Sequence, residues 1–394
     1  MKWRIVVPVV PVFLTVAVVA GIIIIVRQPK YPMFDDESPE LDSIVENTVE
    51  SSVQIHNCVL AVMKGDGSFA WSGAAGIADA DGSVPMTGDT PIHIASITKL
   101  FTATAVMQLQ EQDALAIDDP MADYLPDELI RGVHVYQGRD YSDEITIEQL
   151  LAQTSGIADY YDDKPEGGES CYEMFLKDPE RIWTVEETIG RARDDLEPHF
   201  PPGTAAYYSD TNYQLLGKII EAVTGKSLER VYEEFFFRPL GMQHTWLAGY
   251  SEPQATPSAA TADVFAGNAD ITKIRSNGSY WADGGIITTV KEAVFFLQAL
   301  NEGRIIGTDS VERMHDWRPM NNLPFPYGYG TMYLDFSFIN LGTDPPPLWG
   351  HSGSPGSFLY YSEDLDLYMA GTINQTENLI VPLRLMMQVL EVMG

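Results

Sequence analysis

Cysteine is almost absent from this sequence: Cys58 and Cys171 are the only two in 394 residues. No Cys-x-x-Cys pair and no His/Cys cluster accompanies them, so a structural zinc site is not expected. His-Glu-x-x-His and Gly-x-Ser-x-Gly are missing too, which removes the main support for a zinc peptidase or an α/β-hydrolase. Basic residues are scarce, with 24 Lys and Arg against 56 Asp and Glu and a net charge of −32. Phosphate contact needs basic stripes, so no nucleic-acid partner is expected. The first 30 residues hold only Lys2, Arg4, Arg27 and Lys30 as charges, so the acidity belongs to the rest of the chain. It reads as a solubilising acidic surface.

What is present begins with a run of 22 uncharged, mostly apolar residues, Ile5 to Val26. That length spans a bilayer as a helix, and Lys2 and Arg4 ahead of it favour a cytoplasmic N-terminus. Residues 1–30 therefore read as a transmembrane signal-anchor, with the catalytic body on the extracytoplasmic side of the cell membrane. A cleaved signal peptide is the alternative, with Val18-Val19-Ala20 as its cleavage signal. Cys58 lies in a strand-like run and reads as a core thiol; pairing with Cys171 stays open.

Hydrophobic residues make up 45% of the chain, enough for one large domain or two closely packed lobes. Leu41, Ile44, Val45, Thr48 and Val49 have helical spacing. Val59–Met63 and Ser68–Ala78 flank Lys64-Gly65-Asp66-Gly67, a hairpin signature. Helical patterns broken by Pro/Gly loops fill 116–280, with an acidic loop at Asp159–Ser170. A helix follows at about Thr289–Asn301, then strand-like runs at Tyr329–Phe338, Ser357–Ser362 and Leu367–Ile373, and a last helix at Leu379–Val392. Strands at both ends with helices between predict an α/β fold of the α+β type. An antiparallel sheet is built from both chain ends and flanked by helices, with an inserted, mainly helical lobe. The sheet lobe comprises 31–115 and 283–394, and the helical lobe 116–282.

Ser96-Ile97-Thr98-Lys99 opens a helix that is small or apolar on almost every side. Residues three apart share one helix face. A serine hydroxyl is a weak nucleophile at neutral pH without a neighbouring base. A lysine in apolar surroundings loses its charge more readily, so the pair suits acyl transfer. Ser96 at a helix N-terminus also sits where backbone N–H groups favour negative charge.

Two further stretches join it: Tyr207-Tyr208-Ser209-Asp210-Thr211-Asn212 after Pro202-Gly203, and Trp349-Gly350-His351-Ser352-Gly353-Ser354. Leu150–Ile157, Arg238-Pro239-Leu240-Gly241-Met242 and Asp283-Gly284-Gly285-Ile286 support them. Together these blocks resemble the serine β-lactamase-like family of class C β-lactamases, D-alanyl-D-alanine carboxypeptidases and related esterases, over roughly residues 40–390. The resemblance implies Ser96 as nucleophile, Lys99 as its activator and Tyr208 as general acid/base. It implies the strand His351-Ser352-Gly353 for substrate binding, and the backbone N–H groups of Ser96 and Ser354 as oxyanion hole.

The sequence departs from that pattern in three places. Asp210 stands where Asn is usual, Gln153 where His is usual, and Ser357 where Gly is expected. Asp210 admits two readings: an ion pair with Lys99, or a cap on the helix Thr211–Thr224. By themselves Tyr208 suits a core aromatic and His351 a satisfied loop histidine. The expected function is an exported, membrane-anchored serine hydrolase working through an acyl-enzyme, without metal or organic cofactor. Its substrate is a small molecule or peptide: a D-residue peptide, a β-lactam, or a related amide or ester. Esterase or D-aminopeptidase specificity on the same site is one alternative; a penicillin-binding sensor or inactive surface-binding relative is the other.

Overall fold

The structure, a computed structural model, describes residues 32–272, 275–336 and 345–394. The apolar run Ile5–Val26 lies outside them. Among the described residues no helix is long and apolar enough to cross a membrane.

Six strands form the main sheet: β1 (Asn57–Lys64), β2 (Ala70–Gly76), β3 (Met332–Leu334), β4 (Leu348–Gly353), β5 (Ser357–Ser362) and β6 (Leu367–Thr372). Their order is β3-β4-β5-β6-β1-β2, antiparallel throughout. The chain ends meet inside the sheet, where β1 pairs with β6 from Val59 opposite Thr372 to Lys64 opposite Leu367. Strands β5 and β6 are buried along their whole length and β1 up to Lys64. That is why they read as near-continuous apolar runs rather than alternating ones. Helices cover both faces.

On one face lie α1 (Pro39–Glu50) and α5 (Ile380–Met393), whose Leu41, Val45, Leu385 and Val389 pack on Leu60, Val62, Tyr360 and Met369. Helix α1 starts sharply because Pro39 follows Ser38, whose hydroxyl accepts from the Leu41 N–H at 3.3 Å. On the other face lie α2 (Thr98–Glu111) and α4 (Val290–Asn301). There Phe101, Val294 and Leu297 join Val59, Ala61, Leu359 and Tyr368. Helix α3 (Asp210–Thr224) packs beyond α2. Cys58 and Cys171 belong to these two separate cores, so both thiols are free and buried. Burial pushes each thiol up to about 12.

A second, three-stranded sheet runs Ile92–His93, Ile286–Thr288, Trp246–Leu247. It fixes the approach to Ser96 and the exit from Asp283, the two ends of the Lys99 hydrogen-bond set described next.

Candidate active site

Ser96 lies in one 3-10 turn, Ala95–Ile97, that runs directly into α2, and it is half-buried. The chain enters that turn through Ala95 at φ +46°. A residue with a Cβ adopts this left-handed conformation at a cost of about 1 kcal/mol, supplied by the surrounding fold. One turn on, Lys99 is wholly buried. Its Nζ donates to Ser96 Oγ at 3.1 Å and to the Asp283 carbonyl oxygen at 2.7 Å, and meets Asp210 Oδ1 at 2.5 Å. Burial works against the ammonium, but Asp210, Tyr208 and Asp283 outweigh it and hold the amine above the usual lysine range. Of the two readings of Asp210, the structure has the ion pair. Asp210 is the first residue of α3, Ser209 takes the cap position, and no side chain caps the helix.

Tyr208 stands over this pair, with Lys99 Nζ 4.9 Å from its ring centroid. Its ring meets Tyr327 edge-on at 5.5 Å. Asn322 clamps its backbone, accepting from the N–H at 2.8 Å and donating to the carbonyl at 3.1 Å. The Tyr208 hydroxyl is buried without a hydrogen bond of regular geometry. Burial lifts this phenol above its usual range; Lys99 and Ser96 favour the phenolate, and Asp210 opposes it.

Gln153 explains its own presence. It is buried at φ +60°, and its Oε1 accepts from the Ser209 N–H at 3.0 Å and from Asn212 Nδ2 at 2.5 Å. It thus fixes the turn that delivers Tyr208 and Asp210. Asp159 accepts the Asp210 N–H at 2.9 Å. Asp163 accepts from the Tyr207 hydroxyl at 2.9 Å and lies 2.8 Å from His199 Nε2. Asp283 Oδ2 accepts from Tyr160 Oη and Gln214 Nε2, both at 2.9 Å. Burial and the nearby Asp210 hold Asp159 and Asp283 well above the usual carboxylate range.

Sequence reasoning assigned nothing to Asp159, Tyr160 or Gln214, and gave Asp283 no role. The only signals were the acidic residues after Thr154-Ser155-Gly156 and the block Asp283-Gly284-Gly285.

His351 is buried in β4. Its Nδ1 donates to the Ser352 carbonyl at 2.7 Å, which leaves Nε2 to accept from Tyr327 Oη at 3.2 Å. Burial and Lys99 lower its pKa to about 3, so it is a neutral imidazole near pH 7. Ser352 Oγ lies 2.9 Å from Tyr360 Oη. Gly353 lies so close to the nucleophile turn that a Cβ there would sit 2.3 Å from Ile94 O and 2.3 Å from Ser357 Oγ. Ser357 Oγ in turn donates to Ile94 O at 3.0 Å. The third departure therefore ties the β4–β5 hairpin tip, with the exposed Ser354, to the segment carrying Ser96.

Beside this tip lies a cavity of about 450 Å³, bordered by Ala95 and Ser354. No group of three or more His, Cys, Asp or Glu among the described residues could hold a metal ion.

The model of the Beta-lactamase family matches residues 41–384. Protein flp of Staphylococcus aureus (strain MW2) is 31% identical over 211 residues, covering 54% of this chain and 38% of that protein. Penicillin-binding protein 4 of Amycolatopsis lactamdurans is 30% identical over 172 residues, 44% of this chain and 40% of that one. The chain thus spans about two-fifths of the length of these curated relatives. Among solved structures, a D-stereospecific amidohydrolase from Streptomyces sp. superposes with a TM-score of 0.69 at 25% identity, covering 86% of this chain and 95% of that one. The D-amino acid amidase of Ochrobactrum anthropi SV3 gives 0.74 at 23% identity over 90% and 98%. A penicillin binding protein from Bacillus halodurans gives 0.68 at 21% over 90% and 100%.

Proposed function

This chain belongs to the Beta-lactamase family, and from that premise we propose that it is a serine hydrolase acting through an acyl-enzyme on an amide, peptide or ester of a D-residue. The observation that carries the reading is Lys99 Nζ, bonded at once to Ser96 Oγ and Asp210 Oδ1 at the start of a buried helix. The amidohydrolase and amidase among the structural neighbours favour a D-residue amide over a β-lactam as substrate.

Ser96 Oγ attacks the substrate carbonyl, and the backbone N–H groups of Ser96 and Ser354 take up the charge on its oxygen. Lys99, held as an ammonium by Asp210, does not take the Ser96 proton. Tyr208 is a neutral phenol at rest, so it relays: it accepts the Ser96 proton as it gives its own to the leaving amine or alkoxide. The Lys99 charge steadies any phenolate character in passing. Water then enters, and the same relay runs back to free the acid and restore Ser96.

The test is labelling of the full chain with a fluorophosphonate probe and a fluorescent penicillin, for wild type and Ser96→Ala. Wild type is labelled and the variant is not, since loss of such a nucleophile removes many orders of magnitude in rate. Equal labelling of both ends the proposal. The long run Ile5–Val26 supports an anchored, exported protein. Labelled protein recovered only from the soluble fraction would end that part.

A further inference from the structure

We propose that Asp283 is a positioning residue that locks the Ser96 helix against the Asp210 helix, its backbone held by the first and its side chain by the second. The inference rests on the hydrolase reading above and names a residue that sets its geometry. Ser96 leads into α2, and Lys99 lies in its first turn. Tyr208 leads into α3, and Asp210 is its first residue. A slip of about 1 Å between these two helix ends costs a proton relay roughly 100-fold in rate.

On the α2 side the hold is through the backbone. The Asp283 carbonyl accepts from Lys99 Nζ at 2.7 Å and the Ala282 carbonyl from Thr102 Oγ1 at 2.5 Å, while the Ile286 N–H donates to Thr98 Oγ1 at 3.0 Å. Residues 282–286 are thus bonded to the first turn and a half of α2. On the α3 side the hold is through the side chain. Asp283 Oδ2 accepts from Gln214 Nε2 and from Tyr160 Oη, both at 2.9 Å. Gln214 stands one turn after Asp210, so the face of α3 that grips Lys99 directly also grips the residue whose carbonyl takes another Lys99 N–H. Gln214 Nε2 reaches the Ser279 carbonyl as well, at 3.1 Å. Tyr160 is itself bonded to α3, its N–H donating to Thr211 Oγ1 at 2.9 Å. Gly217, on the same face, lets α3 come close: a Cβ there would lie 2.5 Å from the Trp281 ring and 2.6 Å from Ala282 Cβ.

Lys99 gives the lock its purpose. An ammonium has three N–H bonds, and Lys99 has three acceptors: Ser96 Oγ, Asp283 O and Asp210 Oδ1. When the Asp283 carbonyl drifts, the ammonium loses an acceptor in a wholly buried place and is drawn after it, away from Ser96 Oγ. Asp283, Tyr160 and Gln214 are buried too, so a broken bond among them is not made good by bulk water. Both donors meet the same carboxyl oxygen, so the lock does not require the other oxygen to be ionised, and an amide in its place keeps both bonds.

The test is saturable inactivation of the full chain by a fluorophosphonate, which separates binding, KI, from the covalent step, kinact. Asp283→Ala is expected to lower kinact about 100-fold while KI stays within about twofold. A purely structural loss would lower the melting temperature and leave kinact of the folded protein alone. Asp283→Asn, whose amide oxygen accepts both bonds, is expected to recover at least about tenfold of the loss. Should Asp283→Ala fail to fold, Tyr160→Phe removes one of the two donors and carries an expected loss of about tenfold in kinact. An unchanged kinact, a loss confined to KI, or an Asp283→Asn variant no faster than Asp283→Ala overturns the inference. A wild type left unlabelled at Ser96 refutes the hydrolase reading instead, and crystals of wild type and Asp283→Ala then decide. Lys99 Nζ is expected within hydrogen-bond reach of Ser96 Oγ in the first and beyond about 3.5 Å in the second; the same distance in both overturns the inference.

Discussion

At the residue scale, the Lys99–Asp210 ion pair decides how the proposed proton path runs. A lysine next to serine suggests a base, but at 2.5 Å from a carboxylate it stays an ammonium. Asp210→Asn removes the charge that holds Lys99 protonated and the charge that opposes ionisation of Tyr208. Both the Lys99 ammonium and the Tyr208 phenol then lose their protons more readily, so the basic limb of the kcat/KM profile is expected to move to lower pH. Stability is expected to fall by about 3 kcal/mol, because a buried ammonium loses its counter-ion. The folded pKa of Lys99 lies above its ordinary 10.5. Protonated Lys99 therefore contributes that stability throughout neutral pH, and the contribution is lost as pH rises through the folded value. Superimposable pH profiles for wild type and variant would take Asp210 out of the path. Ser96 and Lys99 were legible in the sequence because one helical turn places them together. Asp210 could be narrowed to two roles. Asp159, Tyr160, Gln214 and Asp283 were not legible, since their contacts join segments far apart in the chain, such as Tyr160 and Asp283.

At the element scale, the site depends on one close approach, that of the β4–β5 tip to the turn before α2. Gly353→Ala places a Cβ 2.3 Å from Ile94 O, a backbone atom that moves only if the Ser96 turn moves. A shift of about 1 Å at a reacting centre costs roughly 100-fold in rate, so kcat/KM should fall by that order. An unchanged rate would mean that the tip and the nucleophile turn do not need this contact. Periodicity located the elements that build this arrangement: the helical spacing from Leu41 is α1, the run Ser357–Ser362 is β5, and the last apolar pattern is α5. The run Tyr329–Phe338 shortened to Met332–Leu334 among the described residues. Residues 327–330 instead turn through Gly328 and Gly330. The Gly328 N–H bonds the Thr331 carbonyl, and Gly330 sits at φ +68°. Glycines in a Tyr- and Phe-rich stretch mark such a turn, but which strand residues survive beside it depends on the partner strand.

At the scale of the whole molecule, α5 is the element whose loss should be felt furthest. It buries Leu385, Met386, Val389 and Leu390 against the sheet. At roughly 1.5–3 kcal/mol for each such side chain, the four contribute as much as the whole net stability of a typical domain, about 5–15 kcal/mol. A chain ending at Leu379 should therefore fail to give a soluble, cooperatively melting protein; a sharp thermal transition for it would refute this. The antiparallel sheet drawn from both chain ends could be read from the placement of strand-like runs. The neighbours within it could not, because pairing is settled only when the elements assemble. That pairing has a consequence in time. Strand β1 waits for β6, its partner from Val59 opposite Thr372 onward. At about 5–20 residues per second, the ribosome needs roughly 15–60 s to supply that partner. Throughout that interval the nascent chain presents an apolar strand with a bare edge, the kind that captures other chains. A holdase that keeps the growing chain apart, or passage through a channel in an unfolded state, would serve this protein for the whole of its synthesis.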